Sequence, residues 1–205
     1  IVNYRRAIGE AVGALYSIQA IDADAGDDDV DEVVELARQA IDFLGGVDCL
    51  VNNSGITLNR PFLEVTREQF DVLYHVNIRA QFFLTQEIAK NMLARGGGSV
   101  CNLTSVHGLQ GAPEHSVYAG TKGAIIAYTR ALAVELAHKG IRVNAIAPGW
   151  VTVENYYKAI PGFTEEAARE SAKNAVPVAR AGTPFSDFND QRFDCVCQIT
   201  DRYEV

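Results

Sequence analysis

A chain of 205 residues with 48% hydrophobic side chains is long enough for one domain with a core of its own. Its 18 Lys and Arg against 26 Asp and Glu leave a net charge of −8, which argues against a general nucleic-acid or anionic-membrane partner. No apolar run approaches the roughly 20 residues that span a bilayer, and no signal peptide opens the chain. Cys49 and Cys101 fall in strand-like runs and read as small buried hydrophobes. Cys195 and Cys197 have no second pair or histidine spacing, so no metal site is expected. A reducing, cytoplasmic setting is the expectation.

In chain order, short apolar strands alternate with longer amphipathic helices, the pattern of parallel βαβ units. Strands are predicted over 1–4, 16–20, 47–52, 99–103 and 141–147, and helices over 7–14, 29–44, 67–93, 117–138 and 165–174. Several strands are near-continuous apolar runs, as expected where both faces of a sheet are covered. The chain opens on Ile1 and already reads as a strand, so a preceding piece is expected. The run 22–32 holds six Asp and one Glu and reads as a solvated loop and helix start. Thr66 and Gln69 form a capping box, Gly96-Gly97-Gly98 a turn between helix and strand, and Gly140 a helix stop.

Chemistry concentrates at Tyr118 and Lys122. On a helix the two side chains leave the same face one turn apart. An ammonium close to a phenol favours the phenolate and lowers its pKa from about 10, which makes Tyr118 a candidate acid/base. Ser105, thirteen residues upstream, stands where it could hold an alcohol or ketone oxygen against the tyrosine. Asn52-Asn53-Ser54-Gly55 and Asn102-Leu103-Thr104-Ser105 each end an apolar run, Asn77 lies in His75–Ala80, and Pro148-Gly149 closes a third run. In an open α/β sheet, residues just past the strands face the ligand. Of the histidines, His107 is expected at the substrate mouth, and His75, His115 and His138 at surface or helix-end positions.

From about Ile1 to Pro184 this order of motifs resembles the single-domain branch of the short-chain dehydrogenase/reductase family. It is similar both to 3-oxoacyl-[acyl-carrier-protein] reductases and to glucose-1-dehydrogenase-like members. The resemblance implies an α/β fold: a Rossmann-like doubly wound parallel sheet with helices on both faces. It implies Tyr118 as proton donor and acceptor, Ser105 orienting the substrate oxygen, Lys122 tuning the tyrosine, and Asn77 holding a relay water. For the cofactor it implies Arg5, Asp24, Asn52, Gly55, Tyr118, Lys122, Pro148, Gly149 and Val151. Arg5 stands where an acid would select NAD, and a guanidinium suits a 2′-phosphate. NADP(H) is therefore the expected preference, with NAD(H) the alternative. The threonine that would bond the carboxamide is replaced by Val153, with Thr152 one residue earlier, and 153–175 reads as a substrate lid. A homodimer or homotetramer acting on a small alcohol or ketone is implied, through the helices 67–93 and 117–138.

Two departures qualify the resemblance. The glycine-rich pyrophosphate loop belongs about 20 residues before the position of Arg5, yet only four residues precede it. Beyond Pro184, 185–205 shows neither the expected helix nor the final strand, and reads as an atypical, disordered tail of frame-shifted or alternatively encoded origin. The expectation is thus one partial domain over 1–184, without its first and last strands. An NAD(P)(H)-dependent oxidoreductase is the leading reading and a non-catalytic remnant the alternative. An epimerase of the extended branch would need a larger substrate domain.

Overall fold

In the computed structural model the described residues are 28–151, 162–175 and 196–199. The first helix, α1 (Asp28–Leu44), buries Val33, Ala37 and Ala40, spaced to share one helix face. Arg38 bridges Glu35 and Asp42 on its exposed side. Gly45 (φ +68°) and Gly46 (φ +128°) end it in a conformation that side chains rarely adopt. Strands β1 (Cys49–Asn52), β2 (Gly98–Leu103) and β3 (Ile141–Pro148) run parallel in that order. In register, Leu50, Val100 and Val143 share one face, as do Asn52, Asn102 and Ala145.

That face carries the core. Leu84, Ile88 and Met92 of α3 (Ala80–Ala94), with Leu136 of α4 (Ser116–Ala137), pack on Leu50, Val100, Ile141 and Val143, and α1 adds Val33 and Ala37. Ile88, Met92 and Leu50 are fully buried, so each truncation to alanine would cost about 2–5 kcal/mol. The opposite face presents Val51, Cys101, Leu103 and Ile146, all half-buried. Cys49 lies on that second face and is exposed, not a buried hydrophobe, because the pleat turns it away from Leu50.

The helix expected over 67–93 is divided. Helix α2 (Arg67–Tyr74) starts at the Thr66–Gln69 capping box, a π-helical turn follows over His75–Arg79, and α3 continues. A π turn inserts a residue and re-aims the side chains within it, here Asn77. Helix α4 runs as expected and stops before Gly140 (φ +83°). Gly97 (φ +134°) is confined too, since a Cβ there would lie 2.4 Å from the Gly140 carbonyl oxygen. Helix α5 (Glu165–Ala175) begins where Thr164 Oγ1 accepts from the Ala167 N–H at 3.1 Å.

Within 185–205, where the sequence predicts no strand, four residues form one. Val196–Ile199 forms β4, antiparallel to β3, with Ala145 opposite Ile199 and Pro148 opposite Val196. Four residues carry too little periodicity to announce a strand, but valine and isoleucine suit an edge pairing. The parallel last strand of a doubly wound sheet is not what occupies this edge. Arg5, Asp24, Thr152, Val153 and the elements predicted over 1–4, 7–14 and 16–20 lie outside the described residues. Among the described residues no helix is long and apolar enough to cross a membrane.

Candidate active site

Because β1, β2 and β3 are parallel, their carboxyl ends share one rim, and the residues that follow them converge there. Asn52 closes β1. Its Nδ2 donates to Asn102 Oδ1 at 2.7 Å and Thr85 Oγ1 at 2.8 Å, tying β1 to β2 and to α3. Asn102 in turn donates to Thr129 Oγ1 of α4 at 2.9 Å. The buried Asn52 Oδ1 has no hydrogen-bond partner among the described residues. Residues 53–55 then turn outward into solvent.

Asn77 grips the far side of that turn. Its Oδ1 accepts from the Ile56 N–H at 2.8 Å, and its Nδ2 donates to the Ile56 carbonyl at 2.9 Å and to Thr121 Oγ1 at 3.1 Å. Asn77 is fully buried, so its amide is spent on a distant loop and on α4 rather than on its own helix. A Cβ on Gly55 would stand 3.3 Å from both Asn77 Oδ1 and Lys122 Nζ, which keeps this position small.

The end of β2 is tied down three ways. The Thr104 N–H reaches the Ile146 carbonyl at 2.8 Å, and its hydroxyl donates to the Lys122 carbonyl at 2.6 Å. Ser105, also buried, caps a short 3-10 turn (Val106–Gly108), its Oγ accepting from the His107 N–H at 3.2 Å. Gly108 seats this turn against α4, where a Cβ would meet the Lys122 carbonyl carbon at 2.8 Å.

Tyr118 and Lys122 lie one turn apart on α4. Lys122 is 5% exposed, and its ammonium donates to the Leu103 carbonyl at 2.9 Å and sits 5.7 Å from the Tyr118 ring centre. Burial lowers its pKa to about 8. Among the described residues no carboxylate pairs with it. Two imidazoles flank the half-buried Tyr118 ring. His107 and His115 are 4.7 Å apart, and each meets the ring edge-on at 6.2 Å. Burial, then the nearby His115, lowers the His107 pKa. His115 Nδ1–H donates to the Pro113 carbonyl at 2.7 Å. Glu114 before it adopts φ +63°, a strained conformation for a side-chain-bearing residue, while its carbonyl accepts from the Arg60 N–H.

The structure thus brings Asn77, Gly55, Tyr118 and Lys122 together and joins Ser105 to them through Thr104 and Gly108. Pro148 ends β3 on the same rim, and Gly149 and Val151 follow it, half-buried. Sequence reasoning missed Thr104, Thr121, Gln81 and the pairing of His115 with His107. The hydroxyls and amide sit on helices or just past a strand, where polar residues are unremarkable in a sequence. Among the described residues, no group of three or more His, Cys, Asp and Glu is arranged for a metal ion.

The family profile described as short chain dehydrogenase matches residues 4–159. The chain belongs to this family. Versicolorin reductase 1 of Dothistroma septosporum is 34% identical over 198 residues, covering 90% of this chain and 74% of that protein. The 3-oxoacyl-[acyl-carrier-protein] reductase FabG of Thermotoga maritima is 36% identical over 156 residues, 76% of this chain and 61% of its own length. A solved structure of ElxO with NADP bound superposes with a TM-score of 0.73 at 29% identity, covering 92% of this chain and 73% of that one. The ElxO structure shares the Rossmann-like arrangement in which the rim just described lies.

Proposed function

We propose that this short-chain dehydrogenase interconverts a secondary alcohol and a ketone with NADP(H), with Tyr118 as acid/base. The observation that carries the reading is the buried Lys122 ammonium, with no carboxylate partner among the described residues, held beside the Tyr118 ring and facing Gly55. Keeping a lone cation out of water is costly unless its charge is used.

A dinucleotide fits the residues present. The turn over 53–55 is open, Gly55 leaves backbone within reach, and among the described residues one of the three Lys122 N–H donors is occupied. Asn52, Gly55, Lys122, Pro148, Gly149 and Val151 are the described residues proposed to hold it, with Arg5 and Asp24 completing the adenosine end. When bound, NADP(H) supplies a hydride to the carbonyl carbon or accepts one from the carbinol. In the reductive direction the Tyr118 hydroxyl gives its proton to the oxygen, whose new electron pair comes from the former C=O π bond. Lys122 favours the phenolate that remains. The Ser105 Oγ already accepts from His107 N–H, so its own hydrogen is left to donate to the substrate oxygen. The Asn77 side chain is already spent on Ile56 and Thr121, so the relay water proposed for this residue would be held by its main chain.

The substrate reading follows from the rim. His107 and His115 place two polar aromatic rings beside Tyr118, which suits a hydroxylated or cyclic ketone better than a bare acyl chain. A cytoplasmic homodimer or homotetramer is part of the proposal, supported by the exposed Phe82 on α3 and Val134 on α4. Titration with NADPH and NADH, followed by nicotinamide fluorescence, tests the core of the reading. Binding with NADPH favoured, and consumption of NADPH faster with a hydroxylated or cyclic ketone than with an acyl ketone, is expected. Absence of binding up to the millimolar range would favour a non-catalytic remnant instead.

A further inference from the structure

Gln81 is a buried amide that the proposed chemistry leaves unused. Only 3% exposed, it follows Asn77 by four residues, across the boundary between the π turn and α3. Its Nε2 donates to the Ser54 carbonyl at 2.6 Å. Asn77 meanwhile holds both backbone groups of Ile56. Two amides on one helical face therefore grip the backbone on either side of Gly55. The orientation of the glutamine is fixed by chemistry: the Ser54 carbonyl can only accept, so Nε2 must face it and Oε1 must turn away.

Oε1 turns to α4. It accepts from the Tyr128 hydroxyl at 3.3 Å, and the Tyr128 ring meets Phe82 edge-on at 6.0 Å. Thr85 Oγ1 adds a bond to the Gln81 carbonyl at 2.7 Å and accepts from Asn52, so strand, turn and both helices share one buried polar network. Partial satisfaction in such a place is costly, and its geometry is correspondingly fixed.

We propose that Gln81, oriented by Tyr128, is a positioning residue that sets the Ser54–Gly55 turn for the nicotinamide dinucleotide. The inference rests on the proposed function for its ligand, but the clamp itself can be read without turnover. Gln81→Met keeps the volume and removes both side-chain bonds. Gln81→Glu keeps an acceptor for Tyr128 and loses the donor to Ser54. Tyr128→Phe removes only the orienting bond. Backbone amide exchange over 53–57 should quicken roughly 5- to 10-fold in both Gln81 variants and less in Tyr128→Phe, while exchange in the core turns of α3 stays at wild-type rates. KM for NADPH should rise by a similar factor with kcat within about twofold. Unchanged exchange and unchanged KM in Gln81→Met would overturn the proposal, as would a fall in kcat at constant KM. If Gln81→Met does not fold, Tyr128→Phe carries the same test through its exchange rates. A wild-type chain that binds no NADPH would instead sink the functional reading, with the exchange rates still deciding whether the clamp exists.

Discussion

Lys122 holds a positive charge where a lysine is normally uncomfortable, and that has a measurable consequence at the scale of one residue. Its folded pKa of about 8 lies below the ordinary lysine value of 10.5, so between those values the unfolded chain binds more protons than the folded one. Stability contributed through this group therefore rises with pH across that window. Relative to Lys122→Met, the wild type should gain on the order of 3 kcal/mol between pH 8 and 10.5 in denaturant titrations. A parallel pair of curves would show that the lysine is not buried as described. Ser105→Ala removes the proposed donor to the substrate oxygen and should lower kcat by roughly 100-fold while the NADPH affinity stays constant. The Tyr118–Lys122 pair was legible in the sequence because helical spacing alone places them together. Gln81 was not, since a glutamine in an amphipathic helix carries no pattern that separates a buried clamp from a solvated side chain. Cys49 was misread for a related reason: in a four-residue strand, one step of the pleat separates buried from exposed.

At the scale of elements, the site depends on how closely the turn after β2 approaches α4. Gly108 permits that approach, so Gly108→Ala should cost about 1–3 kcal/mol, and it should displace Ser105 enough to lower kcat. Gly123 is the internal control. Among the described residues a Cβ there meets only the Gly108 carbonyl at 3.6 Å, so Gly123→Ala should be tolerated and should stabilise α4 by up to about 1 kcal/mol. Equal losses in the two variants, compared by thermal unfolding, would contradict the close packing assigned to Gly108. The helices themselves were readable from period and caps, as Thr66–Gln69 and Gly140 demonstrate. The π turn was not, because it arises from the bonds Asn77 makes to Ile56 and Thr121, far away in sequence.

For the whole molecule, the parallel order of β1, β2 and β3 followed from the alternation of strand and helix, whereas β4 joins the sheet antiparallel through four residues with no helical or strand period around them. Phe82 and Val134 leave apolar surface on α3 and α4. Under the proposed assembly, Val134→Asp should shift the chain toward monomer in light scattering, and no change in mass would argue that this face is not the interface. Everything proposed for this rim comes down to the residues around Lys122 delivering a proton in step with hydride transfer. The most direct measurement is to supply NADPH deuterated at the transferable position with a ketone substrate and to locate the label in the product. Wild type should place deuterium on the carbinol carbon, and Tyr118→Phe should lose that product by roughly 100- to 10,000-fold despite intact NADPH binding. Transfer at equal rates in both proteins, or no label on that carbon, would contradict it.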